Sequence, residues 1–233
     1  MLRSNLVFKQ FRKRHKGQTA ILFGTGPSIN YYTPIKEVDG PYVKVGVKSI
    51  LGREDIRLDY YFCGDINPRS QPDLDRIADY PIGIEKFGYT LVDGKSDPAW
   101  LNDQQAKALG LQTFEISKNI LFERDISHNY LVNRSITFPA LQFILYTGVT
   151  RIYLVGHDCS NYLSYIDTRS RARGKVVTFH DKMIEMWTWA KEWMAKDYPK
   201  VEVISINPVH LRKLFPHEYQ SDKIKKALWK SWT

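Results

Sequence analysis

A short apolar run that ends in a glycine-rich turn is the feature that most constrains the fold of this chain. Residues 20–23 are all apolar, and Gly24-Thr25-Gly26-Pro27-Ser28 follows them directly. Glycine permits positive φ and a close approach to the backbone, and Ser28 is a good N-cap for a following helix. The pattern predicts a buried strand, a tight turn and a helix. Such a turn either binds an anion, most often phosphate, through its N–H groups, or is an ordinary strand-to-helix connection.

Segments typical of strands and helices alternate along the rest of the chain. Expected strands cover residues 42–47, 58–65, 81–87, 112–116, 151–156 and 201–206. Expected helices cover residues 103–109, a buried stretch from 135 that Gly148 stops, and 181–196, whose Met and Trp stripe predicts core packing. This order predicts an α/β fold of the Rossmann-like class: three layers, doubly wound, with a mostly parallel central sheet.

Polar and glycine residues follow several of the expected strands. In parallel sheets, ligands bind outside the carboxyl ends of the strands, so these residues are expected to form one site. They are Gly24, Thr25, Gly26, Pro27, Ser28, Lys48, Asp65, Gly156, His157, Asp158, Ser160 and Asn207. Asp65 and Asp158 can bind a metal or orient a hydroxyl, whereas no Cys and His spacing indicates zinc.

His180 is the candidate general base. It follows a basic segment and precedes the helix expected from Asp181, where a helix N-terminus favours a neutral imidazole. A surface histidine without a role is the alternative interpretation. His157, between Gly156 and Asp158, is equally compatible with packing in the interior.

The formal net charge of +9 over 233 residues favours an anionic partner, such as a phosphorylated substrate, a membrane surface or nucleic acid. We expect a basic N-terminal segment at 1–18, a nucleotide-binding α/β domain at 19–215 with a lid-like loop at 161–179, and a basic C-terminal tail at 216–233. The N-terminal segment is expected to be a solvated helix that packs a few apolar residues, and the alternative for both basic ends is docking on an anionic membrane or a phosphorylated glycolipid acceptor. An oligomer is compatible with this pattern.

Cellular location is predicted from what the sequence lacks. We expect no signal peptide, because the first residues lack a long apolar core and a small-residue cleavage site. No apolar run has membrane-spanning length, and the two cysteines, Cys63 and Cys159, fit a reducing compartment. These features predict a cytoplasmic protein that is either soluble or peripheral to the inner face of the membrane.

Several blocks of the sequence resemble the bacterial sialyltransferases of glycosyltransferase family 42. The turn at residues 24–28 is similar to the Gly-Asn-Gly-Pro-Ser that opens those enzymes. Residues 133–137, the following apolar helix and residues 152–158 are similar to a second block, and residues 165–168 to a Tyr…Asp-Thr segment. The similarity covers most of residues 19–215 in short stretches.

The resemblance implies a single-displacement transfer from a CMP-sugar to a glycan or glycolipid acceptor, with no metal or other cofactor required. His180 would be the general base and Tyr165 a hydrogen-bond donor to the leaving phosphate. The turn at 24–28, Ser135 and Thr137 would hold the nucleotide. Three positions depart from the family pattern, namely Thr25, Lys48 and Ser160, so a donor other than CMP-sialic acid is also compatible.

Two alternatives to this interpretation remain. The MptE-like pterin diphosphokinases and the motility accessory factor glycosyltransferases share the Gly-x-Gly-Pro-Ser opening and a strand that ends in an aspartate. A diphosphokinase would bind Mg²⁺ and ATP through Asp65 and Asp158, and His180 would be incidental. A nucleic-acid-binding protein without catalysis is the other alternative, but the chain contains no recognisable nucleic-acid module.

Overall fold

The computed structural model describes most of the chain. The described residues are 5–37, 40–64, 71–80, 83–92, 95–96, 101–117, 122–128, 131–132, 135–159 and 173–232. They form two compact units. Unit 1 consists of Met1–Lys16 and Val43–Val149, and unit 2 of Gly17–Tyr42 and Thr150–Thr233.

The strands and helices follow one another in α/β fashion. The strands are β1 Thr19–Phe23, β2 Val43–Val47, β3 Tyr60–Cys63, β4 Glu85–Val92, β5 Lys95–Ser96, β6 Leu111–Ser117, β7 Leu131–Val132, β8 Arg151–Val155, β9 Glu202–Ile206 and β10 His217–Glu218. The helices are α1 Gln71–Asp79, α2 Asp103–Ala108, α3 Thr137–Tyr146, α4 Arg173–Asp197 and α5 Asp222–Trp232. Short 3₁₀ turns cover Leu6–Phe11, Pro27–Tyr31, Lys48–Gly52 and Leu211–Lys213. The predicted Rossmann-like α/β class is confirmed.

Unit 1 contains the parallel strand order β2-β3-β4-β6-β7, with β5 antiparallel to β4. All ten residues of α3 are buried. The core of the unit is a cluster of aromatic rings whose neighbouring centroids lie about 5 to 6.5 Å apart; its phenylalanines are Phe8, Phe11, Phe62, Phe87, Phe114 and Phe143. Two of these rings come from the basic N-terminal segment. That segment therefore contributes to the interior of unit 1.

Unit 2 contains the parallel order β10-β9-β8-β1. Strand β1 is buried along its whole length, as expected for a parallel strand covered on both faces. β1 and β8 run in register from Thr19 opposite Arg151 to Phe23 opposite Val155, so the two strands end side by side. Most of the predicted core stripe of α4 is confirmed: Met183, Met186, Trp187, Ala190 and Met194 are buried, and the sixth member, Trp193, is half-buried.

Two sequence-based boundaries were wrong. The expected strand at 81–87 begins only at Glu85 and extends to Val92, because Gly88 lies close against Cys63 and Leu111 instead of breaking the strand. The expected lid-like loop at 161–179 overlaps α4, which begins at Arg173. Basic residues have good helix propensity, and no proline follows until Pro199, so the charge run continues the helix rather than interrupting it. No helix in the described ranges is long and apolar enough to cross a membrane.

Candidate functional site

The glycine turn after β1 lies against the carboxyl end of β8 in unit 2. The N–H of Gly24 donates to the carbonyl oxygen of Val155 at 2.7 Å, and the N–H of Gly26 donates to that of Gly156 at 2.7 Å. The backbone hydrogen bonds between β1 and β8 thus continue beyond the last residues of both strands. The structure thereby brings together two of the segments that the sequence predicted at one site.

A buried aspartate joins this contact. Asp158 is 2% exposed and lies beneath the turn. One carboxylate oxygen accepts the backbone N–H of Ser28 at 2.7 Å, and the other accepts a short hydrogen bond from the Ser28 hydroxyl. The position at which an anion was expected at this turn is therefore filled by the protein's own carboxylate.

The need for glycine at positions 24 and 26 comes from this packing. A Cβ on Gly26 would lie 2.6 Å from the Asp158 carboxyl carbon and 2.8 Å from the Gly156 carbonyl oxygen. A Cβ on Gly24 would lie 2.5 Å from the same carbonyl oxygen. Either contact is far closer than carbon and oxygen atoms tolerate, so the turn needs glycine even without a ligand. Thr25, half-buried between them, makes no hydrogen bond to any residue that the structure describes.

His157 is packed against the protein. It is half-buried, its Nε2 lies 3.1 Å from the carbonyl oxygen of Leu22, and its ring meets Trp187 edge to face at 5.5 Å between centroids. Because a carbonyl oxygen only accepts, the neutral ring carries its proton on Nε2. Enclosure by protein atoms lowers the pKa of His157 to about 4, although the bond to Leu22 opposes the shift. His157 is therefore neutral at pH 7, and its low pKa and enclosed ring make it too weak a base for catalysis at that pH.

The neighbouring acidic groups shift in the other direction. Burial raises the pKa of the Asp158 carboxyl to about 6, against the lowering effect of the two hydrogen bonds from Ser28. Burial also raises the pKa of the Cys159 thiol far above its ordinary value, and the charge of Asp158 adds to the effect. Cys159 has φ of +50°, an uncommon backbone conformation for a residue other than glycine. Perturbed carboxyls and strained backbone at strand ends are common in binding sites.

A network of amide side chains occupies the end of β9. Asn207 is 1% exposed and also has φ of +50°. Its Nδ2 donates to Gln220 Oε1 at 2.9 Å, and its Oδ1 accepts the N–H of Gln220 at 2.9 Å. Gln220 in turn accepts the N–H of Thr33 at 2.9 Å, which ties the segment after the glycine turn to this strand end. Gln220 was not singled out in the sequence, because an amide in a polar stretch carries no spacing signal.

Three predicted nucleotide contacts among the described residues lie in unit 1, namely Lys48, Ser135 and Thr137. Lys48 is exposed at the end of β2 with φ of +52°, and its carbonyl oxygen accepts the Tyr61 hydroxyl at 2.9 Å. Thr137 is buried as the first residue of α3, and its N–H points to the Ser135 hydroxyl oxygen at 3.5 Å. Lys48 is placed as expected at a strand end, while Thr137 is a buried helix-start residue.

Four other predicted site residues lie wholly or partly outside the described residues. Asp65, Ser160 and Tyr165 lie outside the described residues, and for His180 the backbone alone is described. His180 is the eighth residue of α4, since that helix begins at Arg173. The unpaired N–H groups of a helix belong to its first four residues, so the expected effect of the helix N-terminus on His180 was wrong.

Unit 1 also contains a cavity of about 770 Å³ at the amino ends of β3 and β4. Its described lining includes none of the predicted site residues; it consists of Leu51, Glu54, Ile56, Arg57, Leu58, Asp59, Asp75, Arg76, Asp79, Tyr80, Gly83 and Ile84. Among the residues with described positions, no three His, Cys, Asp or Glu side chains are grouped closely enough to hold a metal ion.

No protein-family model matches this chain, and no curated protein does. Among solved structures, the chain is similar to that of the MAf glycosyltransferase from Magnetospirillum magneticum AMB-1. The two share 11% sequence identity with a TM-score of 0.49, over 97% of this chain. The chain spans about 40% of the length of that protein. Its function therefore has to be inferred from its own residues.

Proposed function

We propose that this chain is a glycosyltransferase that transfers a sugar from a nucleotide donor, with a CMP-sugar as the preferred candidate, to a hydroxyl of a glycan or glycolipid. The observation that supports this proposal most is the arrangement at the carboxyl ends of β1, β8 and β9. There the glycine turn and the buried Asp158 occur together within unit 2 with two residues of left-handed backbone conformation, Cys159 and Asn207. Ligands of parallel α/β folds bind at this edge.

The proposed role of Asp158 is to position the turn rather than to contact the donor. Its carboxylate is covered, and both oxygens already accept hydrogen bonds from Ser28. The N–H groups of Gly24 and Gly26 already donate to the carbonyl oxygens of Val155 and Gly156, so they are not available to a ligand. The proposed contact from the turn to the nucleotide phosphate is Thr25, through its N–H and its hydroxyl. This differs from a phosphate loop, in which most of the turn's N–H groups point to the ligand.

The chemical step proposed is a single displacement. The acceptor oxygen forms a bond to the anomeric carbon, the bond from that carbon to the donor phosphate breaks, and the nucleotide leaves with the electron pair. His180 takes the proton of the acceptor hydroxyl, and the Tyr165 hydroxyl donates to the leaving phosphate. Both assignments rest on the sequence resemblance. A well-placed base contributes about 10²- to 10⁴-fold in rate.

A thermal-shift panel with CMP, CDP, UDP, GDP and ATP, each with and without Mg²⁺, tests the proposal. We expect CMP to raise the melting temperature without Mg²⁺. Stabilisation by ATP with Mg²⁺ alone would replace the proposal with the diphosphokinase alternative. No stabilisation by any nucleotide would reject both.

A matched pair of variants tests the assignment of Thr25. Thr25→Val keeps the shape and the N–H but removes the hydroxyl, so we expect CMP affinity to fall roughly ten- to hundredfold, the effect of one lost hydrogen bond to a charged phosphate. Thr150→Val is the control, because Thr150 is an exposed residue before the amino end of β8 whose hydroxyl donates to Gly17. Equal affinities in both variants would remove Thr25 from the site.

A further inference from the structure

A basic and aromatic surface in unit 2 is not explained by transfer chemistry. It is formed by helix α5, the neighbouring turn Leu211–Lys213 and the segment between β10 and α5, and we call it the α5 surface. Its main residues are Arg212, Tyr219, Lys225, Lys226 and Trp229. We propose that the α5 surface binds lipid bilayers that carry anionic phospholipids. This proposal is independent of the reaction that the protein catalyses.

Helix α5 is held in a fixed orientation. Leu228 is 2% exposed and anchors the helix to unit 2, while the next residue, Trp229, is 47% exposed. The hydroxyl oxygen of Ser221 accepts the N–H of Ile224 at 3.2 Å and caps the start of the helix. The large indole is therefore presented outward by a packed helix. Tryptophan in such a position is enriched where proteins meet the bilayer interface.

Cations surround this tryptophan. The Arg212 guanidinium lies 4.8 Å from the centroid of the Trp229 ring, and the Lys225 ammonium lies 6.0 Å from it and 5.9 Å from that of Tyr219. The indole N–H of Trp229 donates to the Tyr219 hydroxyl at 3.3 Å. The aromatic and basic groups thus form one connected patch.

The charge of the patch is complementary to an anionic surface. Between residues 211 and 229 the basic residues are Arg212, Lys213, Lys223, Lys225 and Lys226, and the acidic ones are Glu218 and Asp222. Clusters of four or more basic residues on an amphipathic helix are typical of binding to anionic lipid headgroups. Nucleic acid fits less well, because stacking of a base needs an open ring face and Arg212 covers one face of Trp229.

The N-terminal basic segment does not offer an equivalent surface. Its aromatic residues Phe8 and Phe11 are fully buried in the core of unit 1, and among its described large apolar side chains only Leu6, at 55%, is exposed. Of the two basic ends that the sequence suggested as membrane contacts, the structure therefore favours the C-terminal one.

Vesicle flotation tests the proposal with the full chain. Vesicles of phosphatidylcholine with about 30% phosphatidylglycerol are compared with pure phosphatidylcholine, at about 0.05 M and about 0.5 M salt. We expect binding to the anionic vesicles only, weakened by salt. Lys225→Gln with Lys226→Gln should reduce the affinity roughly thirtyfold, given the usual contribution of each cation near such a surface. The control is Lys191→Gln with Lys196→Gln, which removes the same charge from exposed positions of α4.

Fluorescence quenching by brominated lipids and binding of RNA test the proposal further. Brominated lipids should quench the fluorescence of the wild type more than that of Trp229→Phe, because the indole enters the interface. Equal losses in the two double-lysine variants, or equal binding to neutral vesicles, would overturn the proposal. Binding of a single-stranded RNA oligonucleotide that Lys225→Gln with Lys226→Gln abolishes, without binding to anionic vesicles, would replace it with a nucleic-acid surface.

Discussion

His157 and Asp158 are adjacent residues whose titrations change the free energy of unfolding in opposite directions. Replacing one of them should expose the pH dependence that the titration of the other gives to stability. The perturbation is Asp158→Asn, which keeps the shape of the side chain and removes its charge. The amide oxygen of the asparagine accepts the Ser28 N–H and its NH₂ donates to the Ser28 hydroxyl oxygen, so the exchange changes the strength of these hydrogen bonds and not their number. That change does not depend on pH, so it can be separated from the titration of His157.

The size of the expected change in stability follows from the pKa shifts of Asp158 and His157. The pKa of Asp158 rises from 3.8 to about 6 on folding, so its contribution is fully present below pH 3.8 and is lost as the pH rises through 6, by about 3 kcal/mol. The pKa of His157 falls from 6.5 to about 4, so charging it destabilises the fold, and stability rises by about 3 kcal/mol as the pH rises from 4 to 6.5. In the wild type these two effects nearly cancel over that range.

Urea denaturation at several pH values between about 4 and 7 measures the effect. The free energy of unfolding of Asp158→Asn minus that of the wild type should increase by about 3 kcal/mol from pH 4 to pH 6.5. The same difference for His157→Gln should decrease by a similar amount. Taking differences removes the other carboxylates, which titrate in both proteins. Differences that stay flat across the range would refute the assigned pKa shifts.

Three other substitutions test separate parts of the structure. Gly26→Ala should destabilise unit 2 by about 1 to 3 kcal/mol even without ligand, because its Cβ would overlap Asp158; an unchanged melting temperature would contradict the packing. Phe8→Ala should cost about 3 to 5 kcal/mol, whereas Leu6→Ala should change stability by less than about 0.5 kcal/mol; equal effects would show that the N-terminal segment is not part of the core. His180→Ala should abolish sugar transfer while CMP still raises the melting temperature, and normal turnover would remove His180 from the mechanism.

Hydrophobic patterning predicted the fold well. The short continuous apolar runs after Thr19 and before Gly156 fit buried parallel strands, the stripe of α4 has helical periodicity, and the burial of all three agrees. The start of α4 was missed because Arg and Lys in a polar run are equally compatible with a helix and with a loop. For the N-terminal segment the sequence favoured a solvated helix that packs a few apolar residues, but six basic residues between positions 3 and 16 hid the full burial of Phe8 and Phe11.

The candidate site was predictable in outline and not in detail. That residues 24–28 and 156–158 would meet follows from parallel strands, whose carboxyl ends share one edge. The sequence could not show that Asp158 occupies the anion position of the turn, because this placement depends on the register between β1 and β8. The same register explains why glycine is required at position 26.

The central claim is that a nucleotide binds at the glycine turn and the end of β8. Titration of the ¹⁵N-labelled protein with CMP, followed by backbone amide chemical shifts, tests it most directly. The account predicts that the largest changes occur at Thr25 and its neighbours and at residues 156–159. Saturable binding that leaves these amides unchanged, with the changes instead at residues lining the cavity of unit 1 such as Tyr80, would contradict it.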